Sequence, residues 1–150
     1  MRVVIQRTTT EAQVIVNKKV VGEISKGLVV FLGIEEEDSS ADIPWLIKKI
    51  IQLRIFSDEQ DKMNLSLLDV HGELLVISQF TLHASTKKGN RPSFIKSAKA
   101  EKGRELYELF VNHAKQSLTK VETGIFGADM KVKFINDGPV TIIIDSKQRE

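Results

Sequence analysis

The sequence predicts a mixed α/β (α+β) fold in which largely antiparallel β-sheets, in layers or in a barrel-like arrangement, pack against two main amphipathic helices. Three observations support this prediction. Runs of β-branched residues separated by short turns fill residues 2–35, residues 43–53 and 100–118 carry apolar side chains at helical spacing, and several apolar runs have no polar face.

Composition excludes several classes of protein. The 150 residues suit a single domain, 1–150, and chains of this size bury roughly 68–70% of their unfolded surface. With 22 Lys and Arg against 20 Asp and Glu, the net charge of +2 makes no strong case for binding nucleic acid or a membrane. The lack of Cys excludes disulfides and thiolate catalysis. No apolar run approaches the roughly 18 residues of a membrane helix, so we expect a soluble cytoplasmic protein.

The first part of the chain predicts strands joined by tight turns. Connections this short leave no room for crossover helices, so antiparallel hairpins are expected. The run Leu28–Leu32 has no polar residue, which indicates a central strand covered on both faces. The predicted strands are Arg2–Thr10, Ala12–Val16, Val20–Ile24 and Leu28–Ile34.

Residues 43–72 predict an amphipathic helix followed by short strands. The helix is indicated by apolar residues at helical spacing, with lysines on the opposite side. These apolar residues are Ile43, Leu46, Ile47, Ile50 and Leu53. Between residues 54 and 72 we expect a short strand, a loop and a second strand that pairs with the strand beginning at Leu74.

That strand carries polar residues where its apolar pattern should continue. The run Leu74–Ile77 is apolar on both faces, and Ser78, Gln79 and Thr81 follow it without a turn residue. Burying each such group costs roughly 1–3 kcal/mol unless it is hydrogen-bonded. The segment is therefore either a satisfied polar network or a functional site, with Ser78 or Thr81 as the obvious hydroxyl nucleophile.

A basic, loop-like segment comes next. Gly89 and Pro92 interrupt regular structure, and the segment contains no acidic residue. Its side chains either contact phosphate or form an ordinary solvated surface. The basic residues are Lys87, Lys88, Arg91, Lys96 and Lys99. Ala100–Leu118 then predicts the second amphipathic helix.

The last third contains two unusual loops. Gly124 and Gly127 bracket Phe126, as though an aromatic ring were presented on a tight turn. The segment 136–141, Asn-Asp-Gly-Pro-Val-Thr, predicts a turn, and its ordinary interpretation is a hairpin between strands at 130–135 and 140–144. X-Pro bonds are cis in roughly 5–6% of cases, so the residues alone favour a trans Gly138-Pro139 bond.

The familiar side-chain catalytic arrangements are not evident. A hydroxyl nucleophile normally needs a base within hydrogen-bonding distance and a third group that orients the base. Only His83 lies near Thr81, on the same face of a strand, and no acidic residue is close in sequence. No His spacing suits a metal site, and phosphate-binding glycine motifs are missing.

The chain closely resembles the D-aminoacyl-tRNA deacylases of the bacterial and eukaryotic type. The two most specific motifs are Ser-Gln-Phe-Thr-Leu at 78–82 and Asn-Asp-Gly-Pro-Val-Thr at 136–141, and they occur in the family's order. The likeness extends from Val4 to Ile142. Supporting segments lie at 22–24, 27–28, 54–58, 62–64, 91–94 and 123–130.

The resemblance implies an editing hydrolase without a cofactor or metal. Such an enzyme cleaves the ester between a D-amino acid and the 3′-terminal adenosine of tRNA, and also acts on glycine mischarged to tRNA. It is a homodimer in which Gly138-Pro139, joined by a cis bond, enters the partner's site and leaves no room for an L side chain. Arg7 resembles the residue that anchors this turn.

The resemblance also implies roles at the polar strand end. Ser78, Gln79 and Thr81 would hold the backbone so that N–H groups, notably that of Phe80, stabilise the ester oxygen, while the ribose 2′-hydroxyl helps to activate water. Phe126 and Met130 would form the adenine pocket, and the basic loop would meet tRNA phosphates. Two alternatives remain open, an esterase with Thr81 as nucleophile and a non-catalytic RNA-binding module.

Overall fold

The computed structural model describes residues 1–149, which form ten strands, two α-helices and one short 3-10 helix. In chain order these are β1 (Arg2–Thr8), β2 (Ala12–Val16), β3 (Lys19–Ile24), β4 (Gly27–Gly33), α1 (Asp42–Gln52), β5 (Phe56–Ser57), β6 (Met63–Leu65), β7 (Glu73–Ser78), the 3-10 helix (Phe80–His83), α2 (Ala100–Lys115), β8 (Val121–Thr123), β9 (Lys131–Lys133) and β10 (Thr141–Asp145). No helix within residues 1–149 is long and apolar enough to cross a membrane.

A five-stranded mixed sheet in the order β10-β1-β4-β7-β8 forms the centre of the molecule. β1 pairs antiparallel with both β10 and β4, whereas β4 with β7 and β7 with β8 are parallel pairs. Parallel neighbours need a long crossover connection, and α1 and α2 lie in the two crossovers. The expectation of largely antiparallel pairing therefore holds for the remaining strand pairs.

The molecule is layered. α1 and α2 cover one face of the five-stranded sheet, and the three-stranded sheet β3-β2-β9 covers the other. The predicted mixed α+β fold with two main helices is confirmed, and the sheets of the described chain form layers and no closed barrel.

Alternation along the central strands divides the core into two clusters. In β4, Leu28, Val30 and Leu32 belong to the cluster beneath the helices. Val29 belongs to the cluster beneath the three-stranded sheet, with Phe31 packed against it. Because strand side chains alternate between faces, a strand covered on both sides must be apolar throughout, and the prediction of a central strand is confirmed.

The predicted partner of β7 is wrong. The short strands β5 and β6, within residues 54–72, pair with each other in a separate ribbon. β7 instead runs parallel to β4, and Gly27 stands opposite Glu73. A Cβ at Gly27 would lie 1.8 Å from the Glu73 carbonyl oxygen, so this close approach requires glycine. Long-range pairing of this kind leaves no local signal in the sequence.

The hairpin interpretation of residues 130–144 is also wrong. β9 pairs with β2 in the three-stranded sheet, and β10 pairs with β1 at the edge of the five-stranded sheet. The turn containing Gly138-Pro139 therefore connects two layers, and its X-Pro peptide bond is cis. The trans bond expected from the residues alone is therefore wrong, and the bond is cis as the family resemblance implied.

Candidate active site

The site is built around the carboxyl end of β7. The strand ends at Ser78, the Gln79 N–H still donates to the Leu32 carbonyl at 2.8 Å, and the chain then enters the 3-10 helix at Phe80. Ser78, Gln79 and Thr81 were expected inside or at the end of a core strand, and the structure places the change of direction directly after Ser78. Within residues 1–149, the Phe80 N–H donates no hydrogen bond to another residue.

The Thr81 hydroxyl has no base beside it. It accepts a hydrogen bond from Gln79 Nε2 at 2.6 Å, and within residues 1–149 it forms no bond with a carboxylate, imidazole or amine. His83 is 5% exposed, and its Nδ1 lies 3.8 Å from Glu35 Oε2. The suggested Thr81–His83 pair is therefore not formed in this structure, because His83 is turned into the protein toward Glu35.

A mostly apolar cavity of about 240 Å³ opens next to Phe80. It brings together four of the predicted site residues, Ser78, Gln79, Phe80 and Phe126. The remaining wall comes from the end of β4, from the start of α2 with the segment before it, and from Gly127 in the loop after β8. These wall residues are Leu32, Ile34, Ser97, Ala98, Ala100, Gly103 and Gly127.

Phe126 is positioned by α2. Its ring lies 5.7 Å from the Tyr107 ring, and a Cβ on Gly103 would come within 3.3 Å of Phe126 Cζ. The Tyr107 hydroxyl donates to the Val76 carbonyl at 2.8 Å, which ties α2 to β7. Burial raises the pKa of Tyr107, against a smaller lowering by a hydrogen bond from the Thr123 side chain, so the hydroxyl stays a neutral donor. Phe126 and the end of β7 are thus held by one framework.

The Phe80 side chain stands at the rim of the cavity. It is 57% exposed, and its ring meets that of Phe94 edge to face at 5.0 Å. The Ser97 hydroxyl donates to the Phe80 carbonyl at 3.0 Å. These contacts connect the 3-10 helix to the basic segment that follows it.

That basic segment forms an exposed loop. Ser85 and Ser93 exchange both backbone hydrogen bonds, at 2.8 and 2.9 Å, and so close the loop between them. Lys87, Lys88 and Arg91 lie within it and are exposed. The loop returns through Phe94, whose ring touches that of Phe80, so one end of this basic loop meets the rim of the cavity.

Met130 does not line the cavity. Its sulfur packs so close to Gly124 that a Cβ there would lie 2.3 Å from Sδ, and its side chain packs against the cluster beneath the three-stranded sheet. Phe126 and Met130 therefore lie at the two ends of one short loop, and of this pair only Phe126 faces the cavity.

Arg7, Gly138 and Pro139 form a second group. Arg7 is 8% exposed, its Nη2 lies 2.9 Å from Asp137 Oδ2, and its Nη1 donates to the Ile55 carbonyl at 2.5 Å. Its backbone also accepts from the Asp137 N–H at 2.9 Å and donates to the Val140 carbonyl at 3.2 Å. The predicted contact between Arg7 and the turn is present. Gly138 and Pro139 are exposed and do not line the cavity of their own chain.

The contribution of α2 to the site was not evident from the sequence. Gly103 faces Phe126, and Tyr107 supports it, yet neither residue belongs to a motif that points to a site. The available signal was Gly103 itself, because a glycine inside a helical pattern costs about 1 kcal/mol relative to alanine and indicates close packing. No group of three or more His, Asp or Glu side chains within residues 1–149 is arranged to hold a metal ion.

Comparison with known proteins identifies relatives along nearly the whole chain. The family model described as D-Tyr-tRNA(Tyr) deacylase matches residues 4–145. D-aminoacyl-tRNA deacylases of Flavobacterium psychrophilum and Bacteroides fragilis are each 58% identical to the chain, with 100% of both sequences covered.

Solved structures share the fold. One titled c-Myc DNA Unwinding Element Binding Protein has a TM-score of 0.91 and 36% identity, covering 97% of this chain and 98% of that one. A probable eukaryotic D-amino acid tRNA deacylase has a TM-score of 0.82 at 17% identity, covering 96% of this chain and 99% of that one.

Proposed function

The chain belongs to the D-Tyr-tRNA(Tyr) deacylase family, and we propose that it hydrolyses the ester bond of D-aminoacyl-tRNA, releasing the free D-amino acid and tRNA. Relatives at 55–58% identity over the whole chain are D-aminoacyl-tRNA deacylases, which makes this protein a hydrolase acting on ester bonds. The observation that carries the proposal is the cavity beside Phe80, whose wall includes Ser78, Gln79 and Phe126. Thr81 lies next to it in sequence and does not line it, and the Thr81 hydroxyl is bonded to Gln79 with no side-chain base among residues 1–149.

The chemistry proposed for this cavity relies on the backbone. The free Phe80 N–H is a donor for the oxygen that becomes negative when water attacks the ester, and each such donor contributes roughly 3–4 kcal/mol of transition-state stabilisation. The Gln79–Thr81 hydrogen bond holds the backbone in place. The substrate's own ribose 2′-hydroxyl helps to activate the water, so neither a protein base nor a cofactor is required.

The cavity is proposed to hold the 3′-terminal adenosine. Phe126 offers a ring for stacking, which is worth roughly 1–3 kcal/mol per base. Lys87, Lys88 and Arg91 in the basic loop contact tRNA phosphates, which makes binding depend on salt and tolerate different sequences.

Selection of the D-enantiomer is proposed to come from a second copy of the chain. Gly138 and Pro139 are exposed, held from behind by Arg7, and absent from the wall of their own cavity, as expected for a turn that works in a partner's site. In a homodimer the main-chain carbonyls of this turn would bind the substrate's α-amino group and exclude an L side chain. Glycine has no side chain to exclude, so glycyl-tRNA is a substrate too.

The remaining parts of the proposal follow from the substrate. The whole chain, 1–150, acts as one deacylase domain in the cytoplasm, where tRNA is charged, and it proofreads the product of that reaction. Its partners are the aminoacylated tRNA end and a second subunit.

The proposal is tested with purified protein on D-tyrosyl-tRNA, L-tyrosyl-tRNA and glycyl-tRNA. We expect release of D-tyrosine and glycine while the L-ester persists at the rate of spontaneous hydrolysis. Binding of all three without release of any amino acid would instead support the non-catalytic RNA-binding module. Equal cleavage of both tyrosyl esters would contradict steric exclusion of the L side chain and indicate an unselective esterase.

A further inference from the structure

A polar groove of about 400 Å³ runs along the outer side of α2, separate from the cavity beside Phe80. One wall is the exposed face of α2, and the other is formed by the end of β8 and the loop after it. Its wall includes Arg104, Glu108 and Lys115 on the helix and Phe126 on the loop.

The groove carries cations in a row. Arg104, Glu108 and Lys115 follow at intervals of four and seven residues, which places them on one stripe of the helix. Arg104 and Lys115 are exposed, and within residues 1–149 neither forms an ion pair. At about 1.5 Å of rise per residue, they stand roughly 16 Å apart along the axis. This spacing suits phosphates of an extended single strand that are separated by one or more intervening nucleotides, with Glu108 as the one opposing charge in the wall.

Phe126 connects the groove to the cavity. Its ring belongs to the walls of both, and the Arg104 guanidinium lies 5.0 Å from the ring centroid. A ligand that stacks on Phe126 inside the cavity therefore leaves through the end of the groove at Arg104. A guanidinium plane is also a good platform for an unpaired base.

We propose that this groove binds the nucleotides that precede the 3′-terminal adenosine, with Arg104 next to the penultimate nucleotide and Lys115 on a phosphate further along the strand. The inference rests on the proposed function, since the cavity must hold the terminal adenosine. It adds a second contact region for the tRNA, on the opposite side of Phe126 from the basic loop. Because the contacts are to phosphate and to a base face, the groove does not distinguish tRNA species.

The test compares two substrates that share the ester and differ in the groove. D-tyrosyl-adenosine ends at the cavity, whereas D-tyrosyl-tRNA continues into the groove. For Arg104→Ala and Lys115→Ala, we expect the ratio of kcat/KM for the tRNA to that for the adenosine ester to fall about two- to fivefold, mainly through KM. The slope of log kcat/KM against log salt should fall by about 0.7 for each lost phosphate contact.

Two further variants test whether the effect depends on the charge in the groove. Glu108→Gln removes the opposing charge, so it should raise the same ratio. Lys48→Ala removes an exposed helical cation from α1, outside the groove, and should leave the ratio unchanged. An unchanged ratio in both Arg104→Ala and Lys115→Ala would overturn the proposal. So would equal losses on both substrates, since Arg104 would then act only through the ring of Phe126.

Direct binding separates the groove from the activity. The Kd of the RNA trinucleotide CCA should rise in Arg104→Ala and Lys115→Ala, relative to the Kd of adenosine alone. If the unmodified protein cleaved neither ester, the proposed function would fail, and the trinucleotide measurement would still decide whether the groove binds the strand. Loss of trinucleotide affinity equal to the loss of adenosine affinity would contradict the groove.

Discussion

Arg7 and Asp137 are joined twice across the junction between the first strand and the turn at Gly138-Pro139, and Arg7 makes a third bond just beyond the turn. Their side chains form an ion pair at 2.9 Å, the Asp137 N–H donates to the Arg7 carbonyl, and the Arg7 N–H bonds to Val140 just beyond the turn. Arg7 is 8% exposed, and among residues 1–149 its Nε has no hydrogen-bond partner. The orientation of the turn therefore depends on a nearly buried guanidinium.

Asp137→Asn should destabilise the protein by about 1–2 kcal/mol, because it leaves the buried Arg7 guanidinium without its counter-ion. The loss is limited because the Asp137 carboxylate is partly exposed to solvent. Urea unfolding measures this change. Because the turn would lose a tether, hydrolysis of L-tyrosyl-tRNA should increase relative to D-tyrosyl-tRNA. Asp129→Asn is the matched control, since its pair with Lys131 is on the surface, and it should change neither quantity. Unchanged stability in Asp137→Asn would mean that the ion pair does not anchor the turn.

Thr81→Ala should retain deacylation of D-tyrosyl-tRNA within about tenfold of the unchanged protein, because the Thr81 hydroxyl accepts a hydrogen bond from Gln79 and has no base. Single-turnover rates give the comparison. Thr81→Ser preserves the hydroxyl, so its single-turnover rate should be closer to that of the wild-type protein than the rate of Thr81→Ala is. Complete loss of turnover in the alanine variant, with the serine variant active, would favour the covalent nucleophile.

Phe126→Ala should lower kcat/KM for D-tyrosyl-tRNA by roughly 5- to 150-fold, corresponding to the 1–3 kcal/mol of base stacking. Phe126→Leu keeps apolar bulk against Tyr107 and Gly103 but removes the ring, so it separates stacking from packing. Thermal unfolding of both variants controls for loss of structure. Full activity in the leucine variant would show that the aromatic face is not used.

Asp42 should make stability depend on pH. Burial alone would raise the pKa of Asp42, but hydrogen bonds from the Ser39 N–H and the Lys147 ammonium outweigh it and lower the pKa to about 2. Since the folded value lies below the ordinary 3.8, the stabilisation is complete above pH 3.8 and is lost as the pH falls through 2. It amounts to at most about 2 kcal/mol, reduced because Lys147 is partly exposed to solvent.

Urea midpoints of the unchanged protein and of Asp42→Asn between pH 2 and pH 5 test this dependence. The difference between the two proteins should shrink toward pH 2, where Asp42 is half protonated. A difference that stays constant over this range would place the pKa of Asp42 outside it.

Local patterns predicted much of the fold, and long-range pairing accounts for what they missed. The strand Ala12–Val16 and the start of the second helix at Ala100 were predicted as the structure has them, because side-chain period and turn residues are local signals. The parallel pairing of β7 with β4 was not predicted, because the residues near Leu74 carry no local signal for the strand that lies beside them. Likewise, Asp-Gly-Pro specifies a turn but not that its flanking strands join different sheets.

The site shows the same division. Ser78 and Gln79 stood out because polar residues interrupted an apolar strand, and Phe126 because two glycines flanked it, and all three line the cavity. The role of Phe80 came from the family resemblance alone. Met130 was grouped with Phe126 by the family resemblance, and the structure turns its sulfur toward Gly124 and away from the cavity. Gly103 and Tyr107 reach Phe126 only through the packing of α2, which a one-dimensional pattern does not show.

The central claim is that a pocket on one subunit works with the turn of another, and mixed dimers test it most directly. One parent carries Phe126→Ala in the pocket. The other carries Gly138→Ala, whose Cβ would lie 2.8 Å from Val140 Cγ2 at a φ of +120° and so displaces the turn. Should this second parent fail to fold, Asp137→Asn replaces it. We expect each parent to be impaired and the mixed dimer to regain selective cleavage of D-tyrosyl-tRNA, because an intact pocket then faces an intact turn. A mixed dimer as impaired as its parents, or a chain that is monomeric while fully active, would contradict it.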